Sequence, residues 1–227
     1  KFIDLCNEFN IKLNLTTNGS FVGRGAHAWA ELICPVGSDV KISWNGASEA
    51  TQESIMKGSK LSTQLQNLKK FVAVRDKVAA APGGNRCSVT LQLTFMEKNL
   101  HEIPDIVMLA IAHGCDRVKG HHLWAHFKEI KDEDLRRNKE SINHWNEVVK
   151  KCHDLRETYL LPNGQKVKLE NFSLLDADKF LDVGISEEAV CPFLGREAWV
   201  NNYGRFDPCC APDEERKNLG DFGLLTD

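Results

Sequence analysis

Ile11, Lys12, Leu13, Asn14, Leu15 and Thr16 alternate between apolar and polar without a break. Side chains of a strand point to opposite faces with a period of two, so this run is a strand with one face for a core and one for something polar. The arrangement recurs twice. Val40, Ile42 and Trp44 interleave with Lys41, Ser43 and Asn45, and Val89, Leu91, Leu93 and Phe95 interleave with Thr90, Gln92 and Thr94. Helical periodicity fills the intervals. Trp29, Leu32 and Ile33 share a face within 21–34, and Leu61, Leu65, Leu68 and Val72 form a stripe. Ile103, Ile106, Val107, Ala110 and Ile111 point inward over 101–113, which closes at Gly114; Ile142, Trp145, Val149 and Cys152 repeat over 132–157. Residues 1–10 read as the end of a helix, 79–85 as a loop around Pro82, Gly83 and Gly84, and Asp116–Gly120 as a short strand.

Strands that alternate with helices predict an α/β fold with a parallel sheet and right-handed crossovers. A parallel sheet covered on both faces reads as nearly continuous apolar runs, and these strands do not. A closed barrel packs branched apolar side chains inside. A polar inner face therefore predicts a partial, open (β/α) barrel whose lumen holds a polar ligand. The alternative is an α+β sheet with one solvated face.

The chain has 227 residues and a net charge of −3, with no long basic stripe, which argues against nucleic acid as the main partner. No apolar run approaches the roughly 20 residues of a membrane span, so no membrane partner is expected. The sequence opens on Lys1-Phe2-Ile3-Asp4-Leu5, which reads as mid-helix rather than a secretory signal, so the sequons at Asn14, Asn18 and Asn171 read as chance matches. Cys6, Cys34, Cys87, Cys115 and Cys152 stand alone in apolar or helical contexts, where cysteine behaves as a small buried hydrophobe. A long chain with sparse cysteines is not a disulfide framework, and a reducing, cytoplasmic compartment is expected.

The remaining thiols differ. Cys191 is followed by Gly204, then by Cys209 and Cys210. Widely spaced thiols that bracket a short hairpin suit a metal or iron–sulfur site, because thiolates from separate loops must converge. Trp199 and Val200 read as a strand entering a turn over Asn201–Gly204. This divides the chain into a barrel portion, 1–160, a linker, 161–185, and a cysteine-containing domain, 186–227. His122 and His126 lie four apart and would share a helix face, but no carboxylate motif supports a hydrolytic zinc site. His121 and His122 would stand at the barrel mouth. The charged run Lys131–Glu140 reads as a solvated helix start.

The spacing Cys191-x12-Gly204-x4-Cys209 resembles the opening of the SPASM or twitch domain found behind the catalytic barrel of many radical S-adenosylmethionine (radical SAM) enzymes. Four upstream segments are similar to that barrel. Leu15–Gly19 is similar to the end of its third strand, and Ile42–Ala47 to its fourth. Leu93–Pro104 is similar to the fifth strand and its exit, and Ala110–Val118 to the lead into the sixth. The resemblance implies S-adenosylmethionine contacts at Thr17, Asn18, Ser43, Asn45, Thr94 and Asn99. It implies an auxiliary iron–sulfur cluster at Cys191, Cys209 and Cys210, and a reductant such as flavodoxin or ferredoxin. It further implies a parent enzyme that makes a 5′-deoxyadenosyl radical at a [4Fe–4S] cluster and abstracts a hydrogen from a peptide, protein or small molecule. Two departures stand out. No cysteines are spaced as Cys-x3-Cys-x2-Cys, so the 227 residues alone are expected to be inactive and to be part of a longer parent. Lys57 stands where the family often has a carboxylate-gripping arginine. The alternative function is a non-catalytic iron–sulfur or zinc-binding module, a degenerate homologue without radical chemistry.

Overall fold

The computed structural model describes residues 1–125, 127–179, 199–201, 203–207 and 223–224. The chain forms two compact units, Lys1–Leu181 and Asp182–Asp227. The first is built on a five-stranded sheet in chain order: β1 (Leu13–Thr17), β2 (Gly37–Ser43), β3 (Ser88–Phe95), β4 (Arg117–His122) and β5 (Lys168–Glu170). Every neighbouring pair is parallel. Helices make the crossovers: α2 (Gly25–Ile33), α3 (Glu49–Ile55) and α4 (Leu61–Ala80), α5 (Glu97–Leu100) and α6 (Ile103–Ala112), and α7 (Lys139–Thr158); α1 (Phe2–Glu8) precedes β1.

The predicted two-faced strands are present. Val40, Ile42, Trp44, Val89, Leu91, Leu93, Phe95 and Val118 form one buried face. The helical stripes close over it through Ala26, Ala30 and Ile33, Leu61, Leu68 and Phe71, Ile103, Ile106 and Val107, and Trp145 and Val149. Burial of large apolar side chains contributes roughly 1.5–3 kcal/mol each, so this layer sets the fold. Cys6, Cys34, Cys87, Cys115 and Cys152 are all free and buried, as expected of small hydrophobes.

Three local departures from the sequence reading have physical causes. Residues 161–175 were expected to loosen into a linker, yet they carry β5, with Leu161, Val167 and Phe172 buried around it. A strand of three residues is too short to display a period of two. The last long helix starts at Lys139 rather than 132, because the Asn138 side chain caps it by accepting from Ser141 N at 2.9 Å. A 3-10 turn, Lys128–Glu133, takes the charged segment before it. The mid-strand position 120 is a glycine, and a Cβ there would overlap the Phe95 ring.

In the second unit, β6 (Trp199–Val200) and β7 (Phe206–Asp207) pair antiparallel around a turn with Gly204 at φ 78°, the hairpin that the sequence predicts. Cys191, Cys209 and Cys210 lie outside the described residues, as does His126.

Candidate functional site

The second face of the sheet is polar over its whole length, and it divides into two zones. The zone nearer the N-terminal ends is tied together across all five strands. Asp39 accepts from Thr90 Oγ1 at 2.8 Å and lies 3.7 Å from both Lys41 Nζ and Arg117 Nη1. Arg117 also reaches Glu170 at 3.2 Å, Lys119 meets Glu170 at 2.5 Å, and Lys41 donates to Asn14 Oδ1 at 2.7 Å. The Lys119 hydrogen bond holds the Glu170 carboxyl below its ordinary value. Three cations and two carboxylates thus pair with one another, and together they form a floor.

Above the floor the polar groups are uncommitted. Ser43 pairs with Gln92 in register, and Thr94 pairs with His121. The side chains of Ser43 and Gln92 and the Thr94 hydroxyl make no hydrogen bond among the described residues, and all three residues are half-buried. Partly buried donors and acceptors without partners are suited to a polar ligand. They lie toward the C-terminal ends of the strands, where open α/β sheets bind ligands.

The backbone around this row is fixed by a chain of amide side chains. Asn45 Oδ1 accepts from Thr94 N at 2.8 Å, which links the exits of β2 and β3. Asn99 is fully buried and donates to Asn45 O and Thr94 O, 3.0 Å each, while its Oδ1 accepts from Met96 N at 3.2 Å. Asn45 N donates to Gln52 Oε1 at 2.7 Å, Gln52 donates to Gln64 Oε1 at 2.8 Å, and Gln64 donates to Asn18 O at 2.7 Å. Three strand ends are thereby joined by one relay. Gly46 sits inside it, and a Cβ there would meet Gln52 N at 2.5 Å.

Glu102 secures the turn from below. Its carboxylate accepts from Ala47 N, Ser48 N, Ser48 Oγ and Thr51 Oγ1 at 2.6–3.0 Å. Burial raises its pKa, but the hydrogen bonds from Ser48, Thr51 and Ala47 outweigh burial and hold the carboxyl below its ordinary value.

The structure thus brings Asn45, Thr94 and Asn99 into one cluster with Ser43 beside it. Asn99 uses its amide to position the other two. Thr17 Oγ1 accepts from Gly19 N at 3.2 Å, and Asn18 Oδ1 accepts from Ser20 N at 3.0 Å, so both shape the turn after β1. Asn18 also lines a cleft of about 330 Å³ with Lys57, Lys60 and Gln64. That cleft gathers Lys57 to the same turn. Gln52, Gln64 and Glu102 had no assigned role at the level of sequence. The available signal was two glutamines at inward helical positions twelve residues apart.

The two histidines separate. His121 is exposed on the polar face, 3.3 Å from the Asn171 amide. His122 turns to the other face, with its ring 4.7 Å from Trp145 and 5.5 Å from Phe95. Burial, with Arg136 nearby, pushes its pKa down to about 4, so the ring is neutral. Only His121 stands at the mouth. Among the described residues no group of three or more His, Cys, Asp or Glu side chains can hold a metal ion. No helix among them is long and apolar enough to cross a membrane.

No protein-family model matches the chain, and no curated protein does. Solved structures do. SuiB of Streptococcus suis superposes with a TM-score of 0.55 at 18% identity, covering 92% of this chain and 46% of that one. SuiB bound to S-adenosylmethionine gives 0.49 at 17% identity, covering 74% and 33%. SuiB bound to the precursor peptide SuiA gives 0.48 at 18% identity, covering 74% and 34%. The fold assignment rests on the first of these. The class it defines is an α/β fold with a five-stranded parallel sheet, a partial, open barrel. This chain spans between a third and a half of the length of SuiB.

Proposed function

We propose that this chain is the S-adenosylmethionine-binding portion of a radical SAM enzyme. The observation that carries the reading is the row of uncommitted polar groups at the C-terminal strand ends, Ser43, Gln92 and Thr94, above an ion-paired floor. Residue chemistry fits the cofactor. Ser43 and Thr94 offer hydroxyls to its amino and carboxylate groups and ribose, and the Asn45 amide fixes the strand exits between which it lies. Lys57, in the cleft with Asn18, supplies a point charge for a carboxylate in place of the two-pronged grip of arginine. When bound and reduced in the parent enzyme, S-adenosylmethionine would supply a 5′-deoxyadenosyl radical for hydrogen abstraction. The cofactor carries that chemistry, and this chain binds and orients it.

The described residues do not fit an iron–sulfur cluster, since their five cysteines are buried and none joins a ligand cluster. We therefore assign the catalytic cluster to a Cys-x3-Cys-x2-Cys loop elsewhere in the longer parent, and an auxiliary cluster to Cys191, Cys209 and Cys210. The substrate we favour is a peptide, since members with this C-terminal domain often act on peptides, and the reductant a flavodoxin or ferredoxin.

Equilibrium dialysis of the 227-residue chain against S-adenosylmethionine tests the binding reading. Binding is expected, and the double variant Ser43→Ala, Thr94→Val should weaken it roughly tenfold, the loss of about one net hydrogen bond to a charged group. The melting temperature should stay unchanged. Absence of binding, or equal binding by the variant, contradicts the reading.

A further inference from the structure

The opposite end of the sheet carries a second cleft, independent of the cofactor reading. Ser88, Arg117 and Lys168 are the first residues of β3, β4 and β5. With Arg86, Asp116, Gln165 and Lys166 they line a cleft of about 230 Å³. Four cations face it against one carboxylate. That carboxylate is already neutralised: Asp116 is bonded by the buried Arg75 from behind, accepts from Arg86 at 2.7 Å, and accepts from Val89 N at 2.9 Å. Arg86 is paired with Asp116 and Asp76, Arg117 with Asp39 and Glu170, and Lys166 with Glu157, so the charge left to the cleft is that of Lys168.

Its donors are also uncommitted. Lys168 has no ion pair among the described residues, and neither the Ser88 hydroxyl nor the Gln165 amide has a hydrogen bond there. Arg117 makes its ion pairs through Nη1, and no hydrogen bond fixes its Nη2. Lys166 is bonded to Glu157 and adds charge from the rim. Two guanidinium groups, an ammonium, a hydroxyl and an amide converge on a small volume. Tetrahedral oxyanions match such a set, because each of their oxygens can take a separate donor: the Lys168 ammonium, the free Nη2 of Arg117, the Ser88 hydroxyl and the Gln165 amide.

We infer that this cleft binds a phosphate dianion, either free or as the phosphoryl group of a larger molecule. The anion would bridge the starts of β3, β4 and β5 to the 161–167 segment. It would stabilise the short strand β5, which has only three residues to hold it. This end of the strands faces away from the S-adenosylmethionine contacts proposed above, so the two sites should fill without competing.

Amide chemical-shift mapping of the 227-residue chain tests the inference, with inorganic phosphate, adenosine monophosphate, and chloride at matched ionic strength as probes. Phosphate should shift residues 86–88, 116–117 and 165–168 and raise the melting temperature as its concentration rises. A response to both phosphate and adenosine monophosphate identifies a phosphoryl-reading site, and a response to phosphate alone identifies a free-anion site. Lys168→Ala should weaken phosphate roughly tenfold, and Lys168→Glu should abolish the response. Both variants should melt like the parent when phosphate is absent. The inference is overturned if chloride acts as well as phosphate, if Lys168→Glu binds undiminished, or if the shifts fall elsewhere. Should the variants not fold, the map on the unaltered chain decides between these results.

Discussion

Glu102 carries more of the local order than any other single residue of the site. Four donors converge on its carboxylate, so Glu102→Ala leaves buried donors unpaired and should lower stability by roughly 2–4 kcal/mol in urea titrations. Because its folded pKa lies below the ordinary 4.5, its contribution is present above that pH and is lost as pH falls through the folded value. Glu102→Gln should remove this acid-limb dependence. His122 acts over a higher window. Its folded pKa is depressed from 6.5 to about 4, so the unfolded chain binds the extra proton between those values. Stability should therefore decline as pH falls from 6.5 toward 4, and His122→Leu should flatten that stretch of the urea-midpoint profile. Burial lifts the thiols of Cys115 and Cys152 to about 12. Peptide mass mapping after iodoacetamide treatment should find both labelled only once the protein is unfolded.

Ser43, Asn45 and Thr94 were readable because strand alternation alone puts them on the polar face. Asn99 enters the sequence reading only through the resemblance, and the direction of its amide depends on burial, which no local pattern reveals. The Gln52–Gln64 bond was not readable, since it joins two helices whose approach is fixed by the sheet beneath them.

Among the elements, β1 to β3 and helices α2, α4, α6 and α7 follow from periodicity, because each is long enough to repeat its pattern, whereas α3 and the four-residue α5 do not. Strand β5 and the 3-10 turn are also too short, and they exist through tertiary contacts. Gly120 marks the point where two elements need a missing side chain. Its Hα surface is covered by Phe95, which also packs on Trp145 with centroids 4.6 Å apart. Gly120→Ala should cost at least about 2 kcal/mol by overpacking, and thermal unfolding measures it. Phe95→Leu in the same background should restore part of the loss, because the smaller side chain vacates the space that the Cβ requires.

For the whole molecule, the alternation of two-faced strands and amphipathic helices favours an open α/β barrel over an α+β sheet with one solvated face, and the all-parallel strand order decides between them. The division of the polar face into an ion-paired floor and an uncommitted upper row is not visible in sequence, because pairings such as Arg117 with Asp39 join residues 78 apart. The resulting account makes one central claim: the upper row receives S-adenosylmethionine. Hydrogen exchange of the 227-residue chain with and without S-adenosylmethionine addresses it most directly. The account predicts added protection at 43–48 and 92–96, with Arg117 and its neighbours at the strand starts unchanged. Protection confined to the strand starts, or none at saturating cofactor, would contradict it.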